Sequence, residues 1–275
     1  MLRIAMQRAQ LTYDELNALE VWQLMSPITL DEMRGVKLMN RIDTKYVLTE
    51  DEVVRFLELA ADEGYRVQQI GSVRAARYDT LYYDTEERAM YIAHHNQQLT
   101  RQKIRTRTYL DGGGSFVEVK NKSNRGRTRK VRVAIAEGDV DNYRQNAEAQ
   151  RFVEENARYA EESLMPSLRT RFVRITLVNS TLTERLTIDL CLTYEDVRTA
   201  TTAKIERMAI LELKQDGRTR STAKQLLLAM RIAPLKVSKY CLGTALTVEG
   251  IKRNRFLEKL RNIEKQLNRN NYGKI

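Results

Sequence analysis

The residues most able to do chemistry lie in 100–122, TRQKIRTRTYLDGGGSFVEVKNK. Two strand-like runs flank Asp111-Gly112-Gly113-Gly114, a turn signal that predicts a β-hairpin. Alternate side chains of a strand share a face, so Arg101, Lys103, Arg105 and Arg107 form one row. Gln102, Ile104, Thr106 and Thr108 form the other. On the return strand Phe116, Glu118, Lys120 and Lys122 share a face. Like charges ~7 Å apart repel by roughly 2.4 kcal/mol at an effective dielectric of ~20. Two settings relieve that repulsion: bulk water on an outer face, or an anion held against an inner one.

Net charge favours an anionic partner. The chain has 275 residues, with 47 Lys+Arg against 36 Asp+Glu, a balance of +11. Such a surplus attracts nucleic acid, phosphate-rich ligands or an anionic membrane surface. Aromatic residues are not interleaved with the basic ones as on a single-strand binding platform, so nucleic acid is not the expected partner. Apolar content of 42% suits a globular protein with a sizeable core. No apolar run approaches the ~18 residues of a membrane span, and 1–16 lacks a continuous apolar signal region. Cys191 and Cys241 are far apart in sequence and outside any CxxC pair, which reads as free thiols in a cytoplasmic protein.

The elements that must position the basic rows follow from periodicity. Residues 11–38 carry apolar positions at helical spacing and predict short helices. A first strand is expected over 41–48, with Arg41, Asp43 and Lys45 on one face and Ile42, Tyr46 and Leu48 on the other. Thr49 and Glu52 form a capping-box pattern before a helix over 53–61. A Tyr-rich strand over 75–84, a helix over 86–96, the basic hairpin and a strand over 128–136 come next. Residues 139–159 predict one or two surface helices. Strands over 167–178 and 183–193 pair around Asn179-Ser180; in the second, Leu186, Ile188, Leu190 and Leu192 oppose Arg185, Thr187, Asp189 and Cys191. A strand over 205–215 puts Glu206, Met208, Ile210, Glu212 and Lys214 on one face. A helix from Ser221, a segment over 236–248 and a charged helix over 251–268 complete the chain. No repeat or linker divides it.

Most of these strands have one apolar and one charged face. Either the apolar faces pack as a sandwich, or an inverted arrangement closes a barrel with charges inside and helices outside. Periodicity alone leaves both open.

Taken in order, several motifs resemble a known family. They are Arg41-Ile42-Asp43-Thr44-Lys45-Tyr46, Tyr82-Tyr83-Asp84-Thr85, Lys103-Ile104-Arg105-Thr106-Arg107-Thr108-Tyr109, Phe116-Val117-Glu118-Val119-Lys120, Leu211-Glu212-Leu213-Lys214 and Lys236-Val237-Ser238-Lys239-Tyr240. Together they resemble the VTC (vacuolar transporter chaperone) polyphosphate polymerase domain of the triphosphate tunnel metalloenzyme superfamily. The resemblance runs from about Asn40 to Gly243. It implies an α+β fold: an antiparallel eight-stranded β-barrel tunnel with a polar basic interior, flanked by outer helices. Residues 1–39 would be a helical segment packed on the barrel, 40–249 the tunnel domain, and 250–275 a charged helix.

The resemblance also implies roles. Lys45, Arg105, Arg107, Lys120, Arg174 and Arg185 would hold the reacting phosphates, joined by Lys130, Lys236 and Lys239. Glu212 would ligate Mn²⁺ or Mg²⁺; Glu118 is either a second metal ligand or a salt-bridge partner of Lys120. The chemistry agrees, since guanidinium groups grip phosphate bidentately and an isolated carboxylate among cations suits a hard cation. The implied activity is a metal-dependent phosphotransferase that extends polyphosphate from ATP. Two alternatives stand beside it: an inorganic or nucleoside triphosphatase, and a silent polyphosphate-binding module with a membrane-protein partner on another chain.

Some positions depart from the superfamily or read more plainly. Where the superfamily carries Glu-x-Glu-x-Lys, this chain has Arg41, Asp43 and Lys45, which suits the polymerase branch and removes a metal-ligand pair. Gly112–Gly114 lacks the Lys-Ser/Thr of a nucleotide-binding loop and reads as a turn. His94-His95 is expected to pack rather than bind phosphate. Asp189 is expected to pair with Arg185, Lys204 and Glu206 to be solvated, and Arg101 and Lys103 to flank the tunnel mouth.

Overall fold

A computed structural model describes residues 9–33, 41–217 and 220–269. The expectations placed on 1–8, 34–40 and 270–275, and on the Arg41 side chain, lie outside the described residues.

The chain opens with α1 (Tyr13–Asn17), β1 (Pro27–Ile28) and α2 (Leu30–Met33). It continues through β2 (Arg41–Thr49), α3 (Glu50–Asp62), β3 (Arg66–Gln68), β4 (Ala75–Asp84) and α4 (Ala89–His95). The basic hairpin is β5 (Arg101–Tyr109) and β6 (Ser115–Lys122), and β7 (Thr128–Ile135) pairs beside it. After α5 (Ala147–Asn156) come the long strands β8 (Met165–Val178) and β9 (Glu184–Asp196), then β10 (Thr201–Lys204) and β11 (Met208–Asp216). Helices α6 (Thr222–Ala229), α7 (Lys239–Thr247) and α8 (Asn254–Arg269) finish it. The short strands β1, β3 and β10 were not legible as strands in the sequence.

The main sheet is antiparallel, in the order β2-β11-β9-β8-β4-β5-β6-β7. The fold is thus mixed α+β with helices flanking one large sheet. The sheet curls until its ends sense each other: Lys120 on β6 is influenced by Lys45 on β2 and Glu212 on β11. It does not close by hydrogen bonds between β2 and β7, so the expected closed barrel is corrected to a curled sheet. The reason lies at the free edge of β2. Leu235 N donates to Lys45 O at 2.8 Å, and the Gln266 side chain donates to Val47 O. Those contacts occupy acceptors that a closing strand would need.

Alternation sorts each strand into two faces. On the outer face Tyr46, Leu48, Leu186, Ile188, Leu190, Leu211 and Leu213 join one core with α3 and α6. Helix α3 contributes Val53, Phe56, Leu57 and Ala60, an i, i+3, i+4, i+7 stripe, all fully buried. Its capping box forms as expected, with Thr49 N donating to Glu52 Oε2 at 2.8 Å and Glu52 N to Thr49 Oγ1 at 3.2 Å. The inner face divides into two halves. One is apolar: Val47, Leu168, Phe172, Leu192, Tyr194, Met208 and Ile210 pack on Tyr240, Cys241 and Ala245 of α7 and Phe256 and Ile263 of α8. The other half is charged.

A bulge in β9 contributes to that division. Cys191 adopts a left-handed φ of 52°, and the β8–β9 register shifts between Arg171 and Val173. One extra residue inverts the alternation beyond it. Leu192 therefore leaves the outer row expected for it and enters the inner cluster, while Cys191 packs against the outer core.

Candidate functional site

The charged half of the inner face is built from the polar ends of several strands. Register sets Lys45 of β2 opposite Glu212 of β11, and Lys214 opposite Arg185 of β9. Arg174 of β8 stands opposite Asp189 of β9. Across the sheet, Arg105 of β5 faces Glu118 of β6, which faces Arg132 of β7.

Three carboxylates each hold two cations. Arg105 Nε donates to Glu118 Oε2 at 2.7 Å, and Lys130 Nζ reaches Oε1 at 2.7 Å. Arg174 clamps Asp189 bidentately, at 2.6 Å from Nε and 2.9 Å from Nη2, and Lys239 from α7 joins the same carboxylate. Glu212 is held by Lys45 on one oxygen and by Lys214 on the other at 2.7 Å. These cations outweigh the opposing burial and hold Glu118, Asp189 and Glu212 well below the usual carboxylate range.

The pairs differ from two expectations. Glu118 bonds Arg105, its partner across the hairpin, and Lys130 of β7, rather than Lys120. Asp189 bonds Arg174 and Lys239, not Arg185. Four residues along one strand is ~13 Å, beyond reach of that pairing, whereas Arg174 lies directly across.

Arg107 is the exception among the guanidiniums. It is 7% exposed, and its Nε donates to the neutral Thr80 hydroxyl at 3.1 Å. Tyr78 and Phe172 lie under its guanidinium at 5.7 and 5.8 Å. Among the described residues no carboxylate pairs with it. Burial and the repulsion of Arg105 and Arg174 lower its pKa, although a guanidinium remains protonated in proteins. Lys120 is exposed as a residue, yet desolvation of its ammonium, then the repulsion of Lys103, brings its pKa down to about 8. Lys214 also falls to about 8, first through burial and then through Arg174 and Arg185, against the support of Glu212.

Other named residues scatter. Lys103 Nζ donates to Ser238 Oγ at 2.7 Å, at the N-cap of α7. Arg101 and Lys122 are register partners, and Lys122 feels the charge of the exposed Lys236. Lys236 and Lys239, three residues apart, therefore separate into the rim and the interior. Burial, then Lys103 and Arg101, draws His94 down to about 2, so it stays neutral. His95 packs edge-on to Phe256 at 5.5 Å, and its Nε2 meets Asn254 Oδ1 at 2.8 Å. Lys204 and Glu206 pair on the exposed surface at 2.6 Å.

The sequence reading gave no role to Lys214, Thr80 or Tyr82. Lys214 was recoverable, being two residues from Glu212 and hence on its face. Thr80 and Tyr82 were hidden, because only the β4–β5 pairing brings them against Arg107 and Arg105. A cavity of about 140 Å³ on the sheet's other face, beside Thr106 and Thr108, stands apart from these groups.

The family model for the VTC domain matches residues 40–248, most of the chain and every element that supplies the charged half. The chain belongs to the VTC domain family. A comparison with curated proteins finds no match. Among solved structures, this VTC domain is similar to a candidate adenylyl cyclase from Hippeastrum described as having a dominant triphosphatase activity. That match has a TM-score of 0.49 at 13% identity, covering 76% of this chain and 98% of the other. A candidate adenylate cyclase from Vibrio parahaemolyticus gives 0.45 at 12%, covering 75% and 99%. One from Bacillus halodurans gives 0.45 at 9%, covering 80% and 100%. Among the described residues of the VTC domain, no helix is long and apolar enough to cross a membrane.

Proposed function

We propose that this VTC domain binds ATP and inorganic polyphosphate in its charged half and moves the γ-phosphoryl group onto the chain end. The observation that carries the reading is Arg107, a buried guanidinium without a carboxylate, between two others. Burying a cation costs several kcal/mol unless an anion meets it. A phosphate oxygen between Arg105, Arg107 and Arg174 supplies that anion in bidentate geometry.

The reaction needs no covalent nucleophile from the protein. A terminal phosphate oxygen of the polyphosphate forms a bond to the γ-phosphorus of ATP, the bond to the β–γ bridging oxygen breaks, and ADP leaves. Positioning and charge neutralisation carry most of such a transfer. Arg105, Arg107 and Arg174 hold and orient the reacting phosphates, and Lys45, Lys120, Arg185, Lys214 and Lys239 offset their charge. Lys130 and Lys236 meet the chain at the open side.

The three carboxylates stand in for substrate charge along the wall. An incoming phosphate takes Arg105 and Lys130 from Glu118 and Lys45 and Lys214 from Glu212, and meets Arg174 and Lys239 while Asp189 keeps them in place. Among the described residues no cluster of His, Cys, Asp and Glu makes a complete metal cage. One carboxylate does fit Mg²⁺ or Mn²⁺ that takes its remaining oxygens from phosphate and water. Glu212, once released by its lysines, would hold that ion, with Glu118 as the second candidate. A bound divalent ion would supply further neutralisation of phosphate charge.

Incubation of the purified protein with ATP and Mn²⁺, with products resolved on a gel, tests the reading. Long polyphosphate is expected. Orthophosphate alone would assign hydrolysis instead, and binding without turnover would leave a silent polyphosphate-binding module.

A further inference from the structure

Tyr82 sits on β4, on the inner face beside the guanidinium group, and is 4% exposed. Its Oη accepts a hydrogen bond from Arg105 Nη1 at 3.3 Å. Its ring stacks at a tilt on Tyr240, 5.0 Å away. Among the described residues, the Tyr82 hydroxyl proton has no acceptor. Several other buried phenols have one: Tyr65 donates to Glu184, Tyr143 to Glu161 at 2.9 Å, and Tyr240 to Asp84, whereas the neighbouring Tyr194 hydroxyl, like that of Tyr82, finds no acceptor among the described residues. Asp84, the carboxylate nearest along β4, is taken by Tyr240 and by the amides of Met90 and Tyr91. A buried hydroxyl proton without an acceptor forgoes the hydrogen bond that water would give it.

We propose that Tyr82 is a phosphate-contacting residue, whose hydroxyl donates to an oxygen of the phosphate held by Arg105. The inference deepens the anion-binding reading above and rests on it. The charges that act most strongly on Tyr82 are positive, and the carboxylates near it are taken, Glu118 of β6 by Arg105 and Lys130 and Asp84 by Tyr240 and backbone amides. Strand β5 presents Lys103, Arg105 and Arg107 to it, and α7 presents Lys239 and Tyr240. Strand β8 offers Leu168 opposite it, and β9 brings the phenol of Tyr194. A neutral phenol among cations provides a donor that adds no further positive charge, so it serves a phosphate oxygen that the guanidiniums leave over.

The same surroundings give this tyrosine a signature. Burial raises its pKa, but Arg105, Lys103, Arg107 and Lys239 outweigh it and bring the phenol down to about 8. An ordinary tyrosine ionises near 10. A phosphate accepting the proton's hydrogen bond disfavours the phenolate, which moves the ionisation back up.

The test titrates tyrosine ionisation by ultraviolet difference absorbance in wild type and Tyr82→Phe, each with and without inorganic tripolyphosphate. Calorimetry with the same ligand at neutral pH accompanies it. In the wild type, one of the 13 tyrosines is expected to ionise near pH 8 without ligand. Saturating tripolyphosphate should raise that step by about one unit or more, and Tyr82→Phe should lack it. The variant keeps the ring and should bind tripolyphosphate about tenfold more weakly. Tripolyphosphate binding with an unmoved phenol step, or equal affinity in Tyr82→Phe, would overturn the assignment while sparing the anion site. Absence of tripolyphosphate binding in the wild type would overturn both.

Discussion

Glu212 and Asp189 look alike, each a carboxylate between two cations, but they should respond differently to neutralisation. Asp189 is 2% exposed and anchors Arg174 to α7 through Lys239. Asp189→Asn leaves two buried cations uncompensated and should cost about 3–5 kcal/mol in urea unfolding. Glu212 is more accessible and holds lysines that phosphate can take. Glu212→Gln should therefore retain or tighten tripolyphosphate binding in the presence of a chelator, while activity with ATP and Mn²⁺ falls about a hundredfold or more. Full activity in that variant would remove Glu212 from the metal role. Residue identity was the most legible level of the candidate site: the family resemblance named Arg105, Arg107, Arg174 and Glu212, and the curled sheet brings their charges together. Partners were less legible, because Arg105 and Arg174 meet Glu118 and Asp189 across strands while Lys130 and Lys239 arrive from β7 and α7, none of which a single strand encodes.

Elements decide where the charged half ends, and α7 is the most exacting of them. At Gly243 an added Cβ would meet Leu168 Cδ2 at 2.7 Å and also collide with the Tyr194 ring. The helix can approach the sheet this closely only without a side chain there. Gly243→Ala should lower stability by about 1–3 kcal/mol, read as a drop in Tm. Because α7 also carries Lys239, a displaced helix should weaken tripolyphosphate binding in the same variant. Strands of the sheet were legible through alternation over 41–48, 183–193 and 205–215 and through tyrosine content over 75–84. The β9 bulge was not. Its cue is one residue with positive φ, Cys191, a type with no glycine-like preference for that conformation. Continued alternation therefore put Leu192 on the wrong face. Likewise, β1 and β3 are only two and three residues long, too short for periodicity to register.

At the scale of the molecule, the curled sheet gathers charges from strands distant in sequence, and that gathering has a pH signature. Lys120 and Lys214 both have folded pKa values near 8, against an ordinary 10.5. Between those values the unfolded chain binds more protons than the folded one, so without ligand their contribution to stability rises with pH across that window. Anion binding should run the other way, weakening as pH climbs through about 8 and these ammoniums are lost. Denaturation and calorimetry across the window should show the opposed slopes; parallel slopes would contradict the placement of both lysines. Curling itself was legible only as one of two alternatives, since alternation fixes which residues share a face but not which face turns inward. The open seam between β2 and β7 depends on contacts from 234–235 and α8 that no local pattern reveals. The whole reading turns on Arg107, a buried guanidinium placed for an anion. Calorimetric titration of tripolyphosphate into wild type and Arg107→Met tests it most directly, with urea unfolding as the control. At least a tenfold loss of affinity is expected with stability held or raised, because a buried unpaired charge is replaced by an apolar chain. Equal affinity in the two proteins would contradict it.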